Sequence, residues 1–478
     1  MDQKNRNSTL CKFARCFCLL AAVLTSLAGC EPKTPKVVPD EPASTNKPQA
    51  QIESPALASV PNPCNLILLP VAGGSELDKN IAKAQAVIKA GGFNANPSIE
   101  RLGWLFVSKA RTSFDPGFYK LAEQCALCLG DKEPTNAAAL LLRGHVLHSL
   151  HRFKDAEPVA RELVATRGLS FDYGLLGDVL MELGKLDEAI EVYQKMINLR
   201  PDLHSYSRVA HVRWLKGDLE GATEAMQLAV QATSPKDRET AAWVYSRMAN
   251  YQLQAGNIGD ALKHCDAALQ FQGDYAPALL AKGRLLLADD RVEEAIEPLK
   301  RAVSLNPLPE YQWTLAEALR SAGRPDVVLE NQIKQTGPAS DPRTASLYLA
   351  STGKDPAAAL QLAQAELDNR ADVQTHDALA WALAANGQLE AAAAQSDAAL
   401  AEGTQDARMF YHAGIIEESR GNLEQAMQLL IEAHGFQQML LPSERENLTD
   451  HLTVLGLGLA GVEPRIIEPD RKLVASGK

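Results

Sequence analysis

Aromatic side chains make up only 5% of this 478-residue chain. A β-rich core, which relies on aromatic and β-branched packing, is not expected from such a composition. Basic residues are also outnumbered, 48 Lys and Arg against 59 Asp and Glu, for a formal net charge of −11. Without a basic run, the chain is a poor ligand for nucleic acid, whose phosphates must be neutralised, or for anionic lipid headgroups. The eight cysteines are too few and too unevenly spread for a dense disulfide framework. A Gly-rich phosphate loop, a G-x-S-x-G and an H-E-x-x-H are all missing, and the scattered His and Asp suggest no nucleophile–base pair. What is abundant is Ala and Leu. With 46% hydrophobic and 22% charged residues, this composition suits a folded, all-α protein whose helices pack through small side chains.

The N-terminus reads as an address. Lys4, Arg6, Lys12 and Arg15 precede an apolar stretch from Phe17 to Ala28. That stretch is too short for the roughly 20 residues of a membrane-spanning helix and fits an export signal. Leu27-Ala28-Gly29-Cys30 resembles a bacterial lipobox. The resemblance implies a signal peptide over 1–29, acylation of Cys30 as the new N-terminus, and a membrane lipoprotein facing the periplasm. Glu31 stands where an Asp would favour retention, so the outer membrane is the expected destination. Residues 30–63 carry prolines at 32, 35, 39, 42, 48, 55, 61 and 63. Such a segment reads as a disordered tether that lifts the folded body off the bilayer.

From there the chain repeats itself. In "GLLGDVLMELGKLDEAIEVYQKMINLRPD", Gly174–Asp202, two helices are expected, about Phe171–Leu183 and Leu186–Leu199, broken at Gly184 and stopped by Pro201. A small residue recurs inside each first helix, at Gly144, Gly177, Ala210, Ala249, Gly283, Ala316, Ser346, Ala380 and Gly414. Twelve residues later stand Ala156, Ala189, Ala222, Ala261, Ala295, Val328, Ala358, Ala392 and Ala426. Pro325 and Val328 make the unit around Ala316 irregular, and the unit around Ser346 is short. The pattern resembles the tetratricopeptide repeat, a helix–turn–helix unit of about 34 residues. That resemblance implies an α-solenoid with a right-handed twist. Its expected parts are an N-terminal helical segment with a degenerate repeat around Gly103 (64–137), about nine tandem repeats (138–440), and a capping helix with a loose tail (441–478).

In proteins that this chain resembles, the first helices line a concave groove that binds a partner peptide or protein. With the small residue counted as position 8, the groove stripe is positions 2, 5, 9 and 12. All five tryptophans fall on it: Trp104, Trp214, Trp243, Trp313 and Trp381. So do His145, His148, Asp178, His204, His211, Asn250, Arg284, Glu317, Arg320 and Tyr411. Exposed aromatics among mixed polar groups suit a protein ligand. The expected function is a non-enzymatic interaction scaffold or adaptor in the cell envelope, with no cofactor.

A second reading belongs to another class. His145, His148, His204 and His211 fall in neighbouring repeats and suggest a transition-metal site. Cys125-Ala-Leu-Cys128 is a C-x-x-C that suggests redox or metal chemistry. Against these stand the absence of a known metal spacing and of a βαβ context. The plainer expectation is polar groove residues for the histidines and buried packing for both thiols.

Overall fold

The computed structural model describes residues 62–113 and 115–456. The expected signal segment, Cys30, the expected tether to residue 61 and the expected tail from 457 lie outside the described residues. Among the described residues every regular element is a helix, and no helix is long and apolar enough to cross a membrane.

A short helix α1 (Pro63–Leu66) leads into α2 (Glu76–Ala90), α3 (Ala95–Ser113) and α4 (Gly117–Lys132). Nine helix pairs follow, numbered here as repeats 1 to 9. They are α5 (Ala137–Ser149) with α6 (Phe153–Thr166), α7 (Ser170–Glu182) with α8 (Leu186–Leu199), and α9 (Leu203–Leu215) with α10 (Leu219–Gln231). Next come α11 (Arg238–Gln254) with α12 (Ile258–Phe271), α13 (Ala276–Ala288) with α14 (Val292–Leu305), and α15 (Pro309–Ser321) with α16 (Val327–Ser340). The last are α17 (Pro342–Thr352) with α18 (Pro356–Leu367), α19 (Val373–Ala385) with α20 (Leu389–Leu400), and α21 (Ala407–Arg420) with α22 (Leu423–Gly435). A 3₁₀ turn at Gln437–Met439 and α23 (Pro442–Val454) close the stack. From α2 onward each helix packs on its sequence neighbours, the order of an α-solenoid, while α1 packs on α4.

The small residues are forced by close packing inside each pair. A Cβ at Gly177 would overlap the Tyr193 ring, one at Gly283 the Leu299 side chain, and one at Gly414 would come within 2.6 Å of Leu430. The alanine slot of the second helix is fully buried at Ala156, Ala189, Ala222, Ala261, Ala295, Ala392 and Ala426. Repeats 6 and 7 depart from the expected register by one residue. Val328 is 69% exposed while Leu329 is buried, and Ala359 rather than Ala358 fills the slot, accepting a 2.8 Å hydrogen bond from Ser346 Oγ through its carbonyl. Asp202, Asp237, Asp341, Asp372 and Asp406 cap the first helices of their repeats, each accepting from first-turn backbone N–H groups.

The later repeats return to the earlier ones. The Ala371 N–H donates to the Glu182 carbonyl at 3.0 Å, and Arg370 pairs with both Glu182 and Asp372. Thr404 Oγ1 donates to the Leu215 carbonyl at 2.6 Å, and Lys216 reaches Glu402 at 2.5 Å. Gln254 Nε2 donates to the Gln405 carbonyl, and Arg445 Nη2 to that of Leu287. The turns of repeats 2 and 3 touch the later loops closely. Gly184 and Gly217 both have positive φ, and a Cβ on either would overlap the carbonyl oxygen of Ala371 or Gly403.

A disulfide joins Cys64 in α1 to Cys128 in α4. It corrects the C-x-x-C reading, because Cys128 pairs with Cys64 and not with Cys125. Cys125 is a free, buried thiol that burial pushes well above the usual range. The bridge closes a loop of 64 residues, for which chain entropy gives an upper bound of about 4 kcal/mol. Cys64→Ser is expected to destabilise the N-terminal segment by about 2–4 kcal/mol. Amide exchange over α1–α4 checks this, and unchanged protection would refute it.

Candidate functional site

The first helices of repeats 2 to 4 enclose a cavity of about 480 Å³. Asp178, His204, His211 and Trp243 line it, four of the residues placed on the stripe by sequence. Arg111 from α3 closes one side by pairing with Glu239 of α11. A second cavity, of about 340 Å³, lies at the seam where Glu182 and Gly184 meet the loop from Arg370 to Gln374. Met181, His211 and Arg247 line both.

The floor of the first cavity is a strong ion pair. Asp178 accepts from Arg208 Nε at 2.8 Å and Nη2 at 2.6 Å, and from the Tyr193 hydroxyl at 2.7 Å. Burial alone would raise the Asp178 carboxyl, but Arg208 holds it below the ordinary value. At the seam the outcome differs. Burial pushes Glu182 up to about 7, Arg370 opposes the rise, and Asp372 adds to it.

Aromatic residues mark the rim. Trp243 is 38% exposed, and the exposed Phe171 ring lies 5.4 Å from that of His204. Trp104 and His145, both half-buried, sit ring to ring at 5.3 Å beside this region.

Most of the remaining stripe residues are engaged by other parts of the protein. Trp214 is half-buried and donates through Nε1 to Gln254 at 2.7 Å, so it braces the residue that bonds to Gln405. Trp313 is 3% exposed, covered by the Arg408 guanidinium at 5.1 Å and the Tyr348 ring at 5.6 Å. Glu317 is buried, accepting from the Ser443 N–H and from the exposed Arg320. Tyr411 is buried in the cluster under α23. Arg284 is spent on the Met439 carbonyl and Glu310. Trp381 stacks on His412 at 4.2 Å and donates to Ser351. Asn250 lines neither cavity. Two physical reasons recur: the segment from Met439 onward engages Arg284, Glu317 and Tyr411, and first helices of other repeats engage Trp214, Trp313 and Trp381.

The histidines do not converge on a metal. Each lies against an aromatic partner, His145 on Trp104, His148 on Phe153, His204 on Phe171 and His211 on Trp214. Among the described residues no three His, Cys, Asp or Glu side chains are placed to hold a metal ion.

Arg208 and Arg247 were not on the stripe. Both occupy position 6 of their repeats, where the other repeats carry Leu142, Leu175, Ala281, Thr314, Thr344, Ala378 and His412. A guanidinium at a position otherwise mostly apolar or small is the signal that marks them.

Burial pushes His145 down to about 4 and His211 to about 3, and it lowers His148 and His204. These side chains are neutral in the folded chain near pH 7. Unfolding returns each to about 6.5. The stability of the neutral form is therefore complete above that value and is lost as pH falls toward about 4. The raised carboxyls of Glu182, Glu366, Asp406 and Glu432 act in the opposite sense, since each favours the folded chain as pH falls. With His151 and His434 also lowered by burial, six histidines oppose these four carboxyls, so the thermal midpoint is expected to drop between pH 7 and pH 4.5, at up to about 1.4 kcal/mol per pH unit for each. His211→Asn should flatten that slope, and parallel slopes in a melting series would contradict the assignment.

Two models of the tetratricopeptide repeat match the chain, over residues 173–203 and 252–326. No curated protein matches it. Among solved structures it is similar to TTC0263, a thermophilic TPR protein of Thermus thermophilus. That match has 19% identity and a TM-score of 0.35, and covers 40% of this chain and 100% of that one. YrrB, described as a TPR protein with an unusual peptide-binding site, shares 16% identity over 41% of this chain and 97% of its own, with a TM-score of 0.29. Human IFIT1, solved as a dimer with PPP-AAAA, shares 15% identity over 74% and 77%, with a TM-score of 0.38. The repeats at residues 173–203 and 252–326 are tetratricopeptide repeats, built into an α-solenoid.

Proposed function

We propose that this chain is a non-enzymatic interaction scaffold of the bacterial cell envelope, anchored by lipid on Cys30, that holds a segment of a partner protein inside its solenoid. The observation that carries the reading is the 480 Å³ cavity, where Asp178, His204, His211 and Trp243 from three successive repeats face one space. Rigid helices hold these side chains in place, so little ordering entropy is lost on binding. Trp243 is the aromatic anchor, half-exposed at a site otherwise built from charged and polar groups.

Three features support an exported protein. Leu27-Ala28-Gly29-Cys30 follows a short apolar stretch. The proline-rich segment behind it has the composition of a spacer. The Cys64–Cys128 bridge is a bond that persists in oxidising compartments and is rare in the cytosol. The acidic net charge favours a protein ligand over a nucleic acid.

Trp243→Ala is expected to lower capture of the main partner at least tenfold in crosslinked cells while leaving the melting curve in place. Full capture by the folded variant would place the anchor elsewhere. Cys30→Ala is expected to release the protein from membranes into the soluble fraction. A variant that still sediments with membranes would remove the lipid anchor from this proposal.

A further inference from the structure

The helices before the first repeat carry a surface feature that neither cavity nor core accounts for. Helix α2 ends at Ala90, and Gly91 and Gly92, both at positive φ, turn the chain toward α3. A Cβ built on either glycine would meet nothing within 4 Å, so the turn stands clear of the folded body. Phe93 in this turn is 97% exposed, more than any other large apolar side chain among the described residues. A single apolar residue on a surface is ordinary. The surroundings of this ring are what set it apart.

Three residues beyond the ring, the Asn96 side chain accepts from Lys132 Nζ at 3.1 Å, which ties the turn to the end of α4. One helical turn back along α4, about 6 Å away, Cys128 is bonded to Cys64 in α1. Helix α1 stands directly behind the 32 proline-rich residues 30–61. The disulfide therefore holds the point where the spacer joins the body beside the helix end that meets the Phe93 turn. Lys89 and Lys132, next to the ring in sequence or bonded to its turn, are both exposed. Residues 62–136 carry eight Lys and Arg against seven Asp and Glu, near neutral in a chain of net charge −11. Lipid phosphates would repel most of the chain, but not this part.

We infer that the Phe93 turn docks on the bilayer that holds the lipid anchor, with the ring entering the boundary between headgroups and acyl chains. Lys89 and Lys132 keep their stems along the apolar layer and their ammonium groups at the phosphates. This inference rests on the anchor reading above and goes beyond it. Lipid on Cys30 sets which surface the chain stays near, and Phe93 sets which end of the body faces that surface. A spacer of 32 residues reaches up to about 100 Å at about 3.1 Å per residue, so the anchor alone leaves the body free to turn. Once the chain is anchored, docking is an intramolecular step, and a contact too weak to bind a membrane from solution is enough.

The test uses the full chain purified from membranes and reconstituted in phosphatidylcholine vesicles, with a fluorophore on Asn94→Cys beside the intact ring. Among the described cysteines Cys125 and Cys265 are buried and Cys64 and Cys128 are bonded, so the exposed new thiol takes the label. Spin-labelled phosphatidylcholine is expected to quench this probe at least twofold. Phe93→Ser should abolish the quenching, and a probe on Val328→Cys, 69% exposed on α16, should show none. Each variant is read after its circular dichroism and melting point match the parent. Flotation of the vesicles reports the anchor separately. A chain that floats with its Asn94 probe unquenched, or quenched equally in Phe93→Ser, overturns the docking and leaves the anchor reading intact. A probe shielded in cell membranes but not in these protein-free vesicles would mean that a protein covers the ring, which overturns it as well. A chain that does not float removes the anchor and this inference with it.

Discussion

Everything in this molecule depends on a lateral contact that the repeats do not encode. The turns of repeats 2 and 3 lie against the loops after repeats 7 and 8, so closely that Gly184 and Gly217 have no room for a Cβ. Backbone meets backbone there through Ala371 to Glu182, and the Thr404 hydroxyl donates to the Leu215 carbonyl. Arg370 seals the seam by neutralising Glu182 and Asp372 in a nearly buried network. Such a network gains little net energy over apolar packing, but it is costly to break on one side only. Its effect is to fix where the later repeats sit. That in turn decides which parts of the inner surface stay open and which are filled by the protein itself.

The open part is electrostatically graded. In repeats 2 and 3 the inner charges are matched, and Asp178, Arg208 and Tyr193 form a closed hydrogen-bonded set. One repeat later the carboxylate gives way to His211, which burial keeps neutral. Near the C-terminus the inner surface is saturated, with Arg408 spent on Glu444 and covering Trp313. The chain is acidic as a whole, yet among the arginines lining the two cavities Arg247, shared by both, has no carboxylate partner among the described residues.

The helix pairs could be read from the sequence because close packing imposes a local rule. Gly177 must be small opposite Tyr193, and Gly414 opposite Leu430, whatever else the protein does. The second helix of repeat 2 runs over the same residues as expected, Leu186–Leu199. The rule misses by one residue at Val328 and Ala358, because the slot in those units comes a residue later. The inner stripe was only half legible. Position along a helix gives the side facing the axis, and Asp178, His204, His211 and Trp243 do face the cavity. It does not reveal that Trp313, Glu317 and Tyr411 will be covered by residues more than twenty positions away. Nor did spacing reveal that Cys128 would bond to Cys64 across the first helices.

An isolated row of repeats, each touching only its neighbours, melts from its ends, and the terminal units fray independently of the middle. The seam between repeats 2 and 7 changes that. It ties units far apart in the row to one another, and the Cys64–Cys128 bridge fastens the first helices in addition. A fluctuation that loosens repeat 7 must also give up contacts of repeat 2. The array therefore behaves less like a string of independent beads and more like one cooperative domain, which is how a solenoid of many short helices can hold an interior cavity in a fixed shape.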